Sequence, residues 1–198
     1  AGAMDDLVVG DPRETRTDVG PIISVDAATK IKTYVDLKRT EGFKIFCANE
    51  NHAHTDQFIQ PTFIEMSSLS EINEEIFGPV LHLVSFQEKN LEIVLQELKS
   101  KGFGLTFGVH SRIESKATKI SKLVASGNSY INRDMIGAVV GTQPFGGSGL
   151  SGTGHKAGGP NYLIQFVNEK LVSINTVAIG GNAELLNLET ENGNSQGT

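Results

Sequence analysis

Glu74-Glu75-Ile76-Phe77-Gly78-Pro79-Val80 sets two carboxylates directly before an aromatic ring and a Gly-Pro pair. A carboxylate can accept from paired hydroxyls, and a ring two residues on can pack against a planar heterocycle. Read alone, the tract is better taken as two acids leading through a tight turn into a strand. A second tract, Ile136-Gly137-Ala138-Val139-Val140-Gly141-Thr142-Gln143-Pro144-Phe145, opens a glycine-dense run that continues to Pro160. Glycine lets backbone pass close to another surface, so a structured loop is expected here. A flexible linker is the plain alternative, yet linkers seldom carry Val139-Val140 and Phe145 inside the run.

Cys47 is the chain's single cysteine. It shares a strand face with Phe43 and Ile45, which predicts a small buried hydrophobe rather than a nucleophile. Glu50, His52, His54 and Asp56 are metal-ligating types, but they fall in a polar stretch between two strands, where a solvated loop is expected. His82, His110 and His155 share no spacing and have no nucleophile beside them.

Helices and strands must hold these residues. Val25, Ala28, Ile31 and Val35 recur at helical spacing over Ser24 to Arg39, with Ser24 as N-cap and Gly42 beyond the end. Phe43 to Ala48 reads as a strand. Gln57 to Met66 contains Pro61, which cannot donate to a ladder, so an edge or irregular crossing is predicted there. Val80 to Phe86 is a further strand. A helix on Leu91, Val94, Leu95 and Leu98 closes at Gly102, and Leu105 to Ser111 returns as a strand. Ile113, Ala117, Ile120 and Val124 give a third helix closed by Gly127, and Asn128 to Asn132 is a short strand ending at the glycine-dense loop. The alternation predicts an α/β fold with a mainly parallel, helix-covered sheet. Lys170 to Ile179 falls outside the alternation and reads as a β arm pairing with another subunit or domain. The polar end, Glu189 to Thr198, is expected to be disordered.

Composition narrows the classes. The 198 residues suffice for one good core, and no apolar run approaches the roughly 20 residues that span a bilayer. One cysteine and no secretory signal point to the cytoplasm. A net charge of -6 without a basic cluster argues against a nucleic-acid partner.

Glu74 to Val80 resembles the EEIFGPV signature of the aldehyde dehydrogenase superfamily, and Pro144-Phe145-Gly146-Gly147-Ser148-Gly149 resembles its downstream PFGG loop. Two such tracts in the expected order seldom coincide by chance. The likeness runs from about Asp5 to Leu188, since Val8-Val9-Gly10-Asp11-Pro12 and Asp18-Val19-Gly20-Pro21 match the segment after the family's catalytic cysteine. Gly152-Thr153-Gly154, Lys156-Ala157-Gly158-Gly159-Pro160, Ser173-Ile174-Asn175-Thr176 and Gly180-Gly181-Asn182 look like the glutamate-semialdehyde dehydrogenase module of bifunctional proline-catabolic flavoproteins.

That resemblance implies the parallel-sheet catalytic domain of an aldehyde dehydrogenase over residues 1–168, an oligomerisation arm and extension over 169–188, and a tail over 189–198. It implies attack of a thiolate on an aldehyde, collapse of the oxyanion by hydride transfer to NAD, and hydrolysis of the thioester. Glu75 would hold the nicotinamide ribose hydroxyls and Phe77 would pack against nicotinamide. Gly137 and Ala138 would bind the α-carboxylate of glutamate semialdehyde, with Phe145 along its aliphatic carbons. The family's nucleophile would lie upstream of Ala1, so the chain alone is expected to be inactive. FAD would serve a proline dehydrogenase on the same polypeptide. A non-catalytic assembly module on the same scaffold is the rival reading; Glu75, Phe77 and the anchor loop count against it.

Overall fold

Backbone hydrogen bonds close the first segment on itself behind a short helix α1 (Gly2–Asp5). The amides of Asp18 and Val19 reach the Val8 carbonyl, the Gly10 amide reaches that of Val19, and Val9 and Val19 form a parallel bridge that leaves Val9 1% exposed. Ser24 then starts helix α2 (Val25–Thr40): its backbone is extended and its hydroxyl accepts from the Ala27 amide at 3.1 Å. Gly42, at φ 87°, turns the chain out of the helix. The structure, a computed structural model, describes residues 1–49, 56–139, 141–152, 154–176 and 178. The loop expected through Glu50, His52 and His54, together with Val140, Thr153, Gly180-Gly181-Asn182 and the polar tail, lies outside the described residues.

Strands β1 (Lys44–Cys47), β2 (Thr62–Met66) and β3 (Val80–Val84) form one sheet in that order. β1 runs antiparallel and β3 parallel to β2. Register Ile45↔Ile64↔His82 puts these residues on one face with Thr62, Met66 and Val80. Helix α2 covers that face, where Ala28, Ile31 and Ile59 make a core joined by Ile22, Ile76 and Val80. Ala28 and Ile64 are fully buried, and each buried aliphatic side chain contributes about 1.5–3 kcal/mol. The opposite face carries the stacked pair Phe46–Phe63 at 5.2 Å and the exposed Leu81 and Leu83.

A polar pair sits within the helix–sheet contact. The Tyr34 hydroxyl meets His82 Nε2 at 2.9 Å, and Lys38, 8% exposed, lies over the rings of Phe43 and Tyr34 while bonding Glu41 at 2.8 Å. Burial pushes the His82 imidazole below its ordinary value, and the Lys38 charge adds to the effect. A neutral imidazole can accept the Tyr34 proton at Nε2; an imidazolium cannot.

After a 3₁₀ turn (Glu88–Asn90), helix α3 (Leu91–Ser100) buries Leu95 and stops at Gly102, φ 78°. Strands β4 (Phe103–Gly104) and β5 (Thr106–Val109), helix α4 (Glu114–Leu123) and strand β6 (Asn128–Ile131) follow. β5 and β6 pair in parallel, and β4 pairs antiparallel with β7 (Ser148–Gly149). Parallel pairs are thus present, but the described strands form three small sheets rather than one continuous one.

Several expectations are corrected. β2 is the central strand of its sheet, not an edge: Pro61 stands just before it, where its missing N–H costs no ladder bond and its carbonyl accepts from Ala48. Helix α4 ends at Leu123 rather than at Gly127. Cys47 is exposed, because β1 is an edge strand and Cys47 its last residue. Contacts divide the chain at Gly159 and Pro160. Apart from these corrections, in the second unit a 3₁₀ turn (Tyr162–Phe166) packs Tyr162 edge-on to Phe166, and the described residues of Lys170 to Ile179 pair with no strand of the described chain, which leaves the expected pairing with another subunit or domain open.

Two stability predictions follow from this packing. Ile64→Ala should cost about 2–5 kcal/mol in urea unfolding, whereas Leu81→Ala on the open face should cost well under half of that; equal losses would mean that the two faces are not distinguished as described. For His82, the folded value lies below the ordinary 6.5, so the unfolded chain takes up a proton that the fold refuses. Stability should therefore be fully held above about pH 7 and fall as pH drops below 6.5. Melting between pH 7 and pH 5 should show this as a loss of a few degrees that His82→Gln reduces; an unchanged pH slope in the variant would remove His82 from the account.

Candidate active site

Ile76 decides how its tract is presented. It packs against the α2 core, while its neighbours Glu75 and Phe77 are exposed, Phe77 by 86%. The approach to the tract is also tied down: Lys101 Nζ donates to the Ile72 carbonyl at 2.6 Å, and Glu71 closes a capping box with Ser68. At the far end of the tract, the Pro79 carbonyl accepts from the first amide of β2 at 2.9 Å. Glu75 and Phe77 line a cleft of about 670 Å³ whose other walls include Lys101, Phe103, Phe107 and Leu150. An aromatic ring left this exposed beside a carboxylate at a cleft suits a ligand with a flat ring and vicinal hydroxyls.

The second group of residues lies after β6. Asn132, the one described non-glycine residue with positive φ, turns the chain at φ 55°, and its side chain clips both backbone groups of Ser111 at 2.8 and 2.9 Å. Gly137 stands at φ 57°, a conformation that costs glycine nothing, and is exposed. Among the described residues no acceptor meets the amides of Gly137 or Ala138. Gln143 folds the loop back by accepting from the Val139 amide at 3.0 Å and donating its own amide to the Val139 carbonyl. Phe145, half-buried, pairs with Ala157 in a two-way backbone bridge.

The glycine-dense tract is built in, not loose. The Asn128 side chain donates to the Pro144 carbonyl at 3.0 Å and accepts from the Gly146 amide at 3.2 Å. Lys156 Nζ donates to the Gly127 carbonyl. Gly127 itself is required by proximity: a Cβ there would lie 1.7 Å from the Gly146 oxygen. Further on, Leu150 and Ser151 line the Glu75 cleft. Gly137, Ala138 and Phe145 do not line it; the structure therefore presents two neighbourhoods linked by one tract. Asn128 and Lys156, and Tyr130 whose hydroxyl donates to the Gly137 carbonyl, hold the loop and carry no role in the sequence reading. Cys47 lines neither neighbourhood: its sulfur accepts from Thr62 at 3.4 Å at the end of β1. Among the described residues no group of three His, Cys, Asp or Glu could hold a metal, and no helix is long and apolar enough to cross a membrane.

Residues 1–172 match the aldehyde dehydrogenase family. The chain belongs to that family. It is 41% identical over 175 residues to the bifunctional protein PutA of Klebsiella aerogenes, an alignment covering 85% of this chain and 13% of the relative. It is 40% identical over 169 residues to 1-pyrroline-5-carboxylate dehydrogenase of Geobacillus sp. (strain WCH70), covering 84% of this chain and 32% of that enzyme. A crystal structure of a mutant proline utilization A from Bradyrhizobium japonicum superposes with a TM-score of 0.81 at 45% identity, over 91% of this chain and 18% of the other. The chain thus spans a third or less of the length of these aldehyde dehydrogenase relatives.

The close approach at Gly127 gives a direct test of the loop's construction. Gly127→Ala should destabilise the chain beyond the about 1–3 kcal/mol usual for overpacking, because a backbone oxygen and not a movable side chain is in the way. Limited proteolysis should then cut between Gly137 and Gly147; a variant as stable and as resistant as the parent would show that the two backbones can part at no cost.

Proposed function

We propose that this segment holds cofactor and substrate in an NAD-dependent dehydrogenase that oxidises glutamate semialdehyde, in equilibrium with pyrroline-5-carboxylate, to glutamate in proline breakdown. The observation that carries the reading is the loop at Gly137 and Ala138: two neighbouring amides at a left-handed, exposed glycine, neither of which meets an acceptor among the described residues. Such a pair binds a carboxylate without a counter-charge, and Phe145 at the end of the same loop offers apolar surface to a short aliphatic chain. Glu75 would accept from the nicotinamide ribose hydroxyls and Phe77 would pack against the nicotinamide ring. Bound NAD supplies the hydride acceptor; Glu75, Phe77 and the loop hold the reacting carbon and that acceptor in fixed geometry.

The segment acts, in this reading, within a longer polypeptide that supplies the thiol nucleophile, since Cys47 does not line the cleft and accepts from Thr62. The 198-residue chain alone should give no NADH. In bifunctional relatives' terms, a second part would carry FAD and oxidise proline. Thiol chemistry of this kind suits the reducing cytoplasm. Leu171, Val172 and Ile174, exposed by 92%, 64% and 66%, suit an arm that completes its ladder on a second copy. A purely structural module would not need an 86% exposed phenylalanine beside Glu75.

Kinetics on the longer polypeptide test the loop. Gly137→Val puts a branched side chain on a left-handed residue where the carboxylate must lie, so kcat/KM for the semialdehyde should fall about tenfold or more, the scale of one charged hydrogen bond. Propionaldehyde, which has no carboxylate, should be affected far less, and the KM for NAD should hardly move. An equal loss on both aldehydes would mean general disruption and would withdraw the carboxylate role.

A further inference from the structure

Tyr130 is the only residue of β6 with a buried side chain, 7% exposed. Its hydroxyl donates to the carbonyl of Gly137 at 2.8 Å. That oxygen belongs to the same peptide unit as the Ala138 amide. In a planar trans unit the C=O and N–H point in opposite directions, so holding the oxygen toward the Tyr130 hydroxyl turns the Ala138 N–H away from it. A donor on the oxygen also polarises the unit and makes its N–H a better donor in turn.

Tyr130 is itself held. Its register partner in β5 is Gly108, and the Arg133 guanidinium lies 4.8 Å from the ring centroid. Met135 packs on Gly108 so closely that a Cβ there would come within 2.6 Å of its sulfur, pinning the chain two residues before Gly137. The loop therefore depends on a rigid strand for the direction of one amide. Because Gly137 is exposed, water could satisfy its carbonyl equally well. The hydroxyl is not needed to avoid an unsatisfied group there; what it adds is orientation.

We infer that Tyr130 is the positioning residue of the carboxylate site, selecting aldehydes that bear an α-carboxylate over those that do not. This rests on the proposed role of Gly137 and Ala138, and adds the side chain that aims their peptide unit. Tyr130→Phe keeps the ring and its packing and removes only the hydroxyl. In the longer polypeptide, its KM for glutamate semialdehyde should rise about five- to tenfold with kcat within about twofold, the scale of one lost hydrogen bond. The inhibition constant of glutarate, a dicarboxylate that binds without reacting, should rise in parallel, while kcat/KM for propionaldehyde and the melting temperature stay near those of the parent. A KM for semialdehyde unchanged in Tyr130→Phe, while Gly137→Val still discriminates between the aldehydes, would overturn this inference and leave the carboxylate site standing. Equal losses on both aldehydes in Tyr130→Phe, or failure of that variant to fold, would assign the hydroxyl to stability and also overturn it. Equal losses in Gly137→Val would remove the carboxylate site itself.

Discussion

Helix α2 can lie flat on its sheet because a fully buried alanine faces it at Ala28 and slim aliphatic side chains follow at Ile31 and Val35. That contact is the constraint from which the Glu74–Val80 tract takes its direction. Ile76 is drawn into the same core, and a residue fixed there leaves its two neighbours no choice but to face out. Glu75 and Phe77 thus owe their presentation to a hydrophobic term of about 1.5–3 kcal/mol per buried side chain, not to any polar bond of their own. Lys101 reaching the Ile72 carbonyl and Pro79 joining β2 fix the two ends of the tract, so that the core contact acts on a short, tethered span.

Among the described residues, helix α2 covers one side of the sheet. The face bearing Phe46, Phe63, Leu81 and Leu83 has no helix of the described residues upon it, and each of the three sheets has few strands. Parallel strands are ordinarily buried on both faces, because the crossover helices that connect them lie over those faces. Leu81 on that face is 54% exposed. Phe77 is exposed as well, and exposed apolar surface at a cleft is a place for something to bind.

Elements set by local chemistry were legible in the sequence. The Ser24 cap, the α2 stripe and the glycine stops at Gly42 and Gly102 each depend on residues within a turn or two, and each stands where periodicity and capping rules predict. What depends on strand order was not. Nothing near Pro61 tells that β1 would pair outside β2 and make it central, and nothing near Cys47 tells that its strand would be the edge. The tracts of the site were readable as tracts, since glycine density and the paired acids are visible in one dimension. The clamps were not: Tyr130 to Gly137, Asn128 to Pro144 and Lys156 to Gly127 join side chains to backbone across 7, 16 and 29 positions, with no period to betray them. A short strand reading Asn128-Ser129-Tyr130-Ile131 gives one hint, since a tyrosine bound for the interior must find its hydroxyl a partner.

A loop of glycines loses more conformational entropy on ordering than any other composition, and an unclamped one would present its amides in many directions. This tract meets that cost with a distributed set of bonds, each worth about 0.5–1.5 kcal/mol, made from a strand whose own position is fixed by its pairing with β5. Glycine is nevertheless unavoidable at Gly127, where backbone meets backbone, and well suited to Gly137, where φ is 57°. The arrangement separates two demands that one residue type cannot meet together. Glycine supplies the close approach and the left-handed turn that open the amides, and Asn128, Tyr130 and Lys156, rooted outside the loop or at its far end, supply the rigidity that gives those amides a direction. Recognition of an anion by backbone alone requires both, because an amide binds only along its N–H axis and loses strength steeply as that axis wanders.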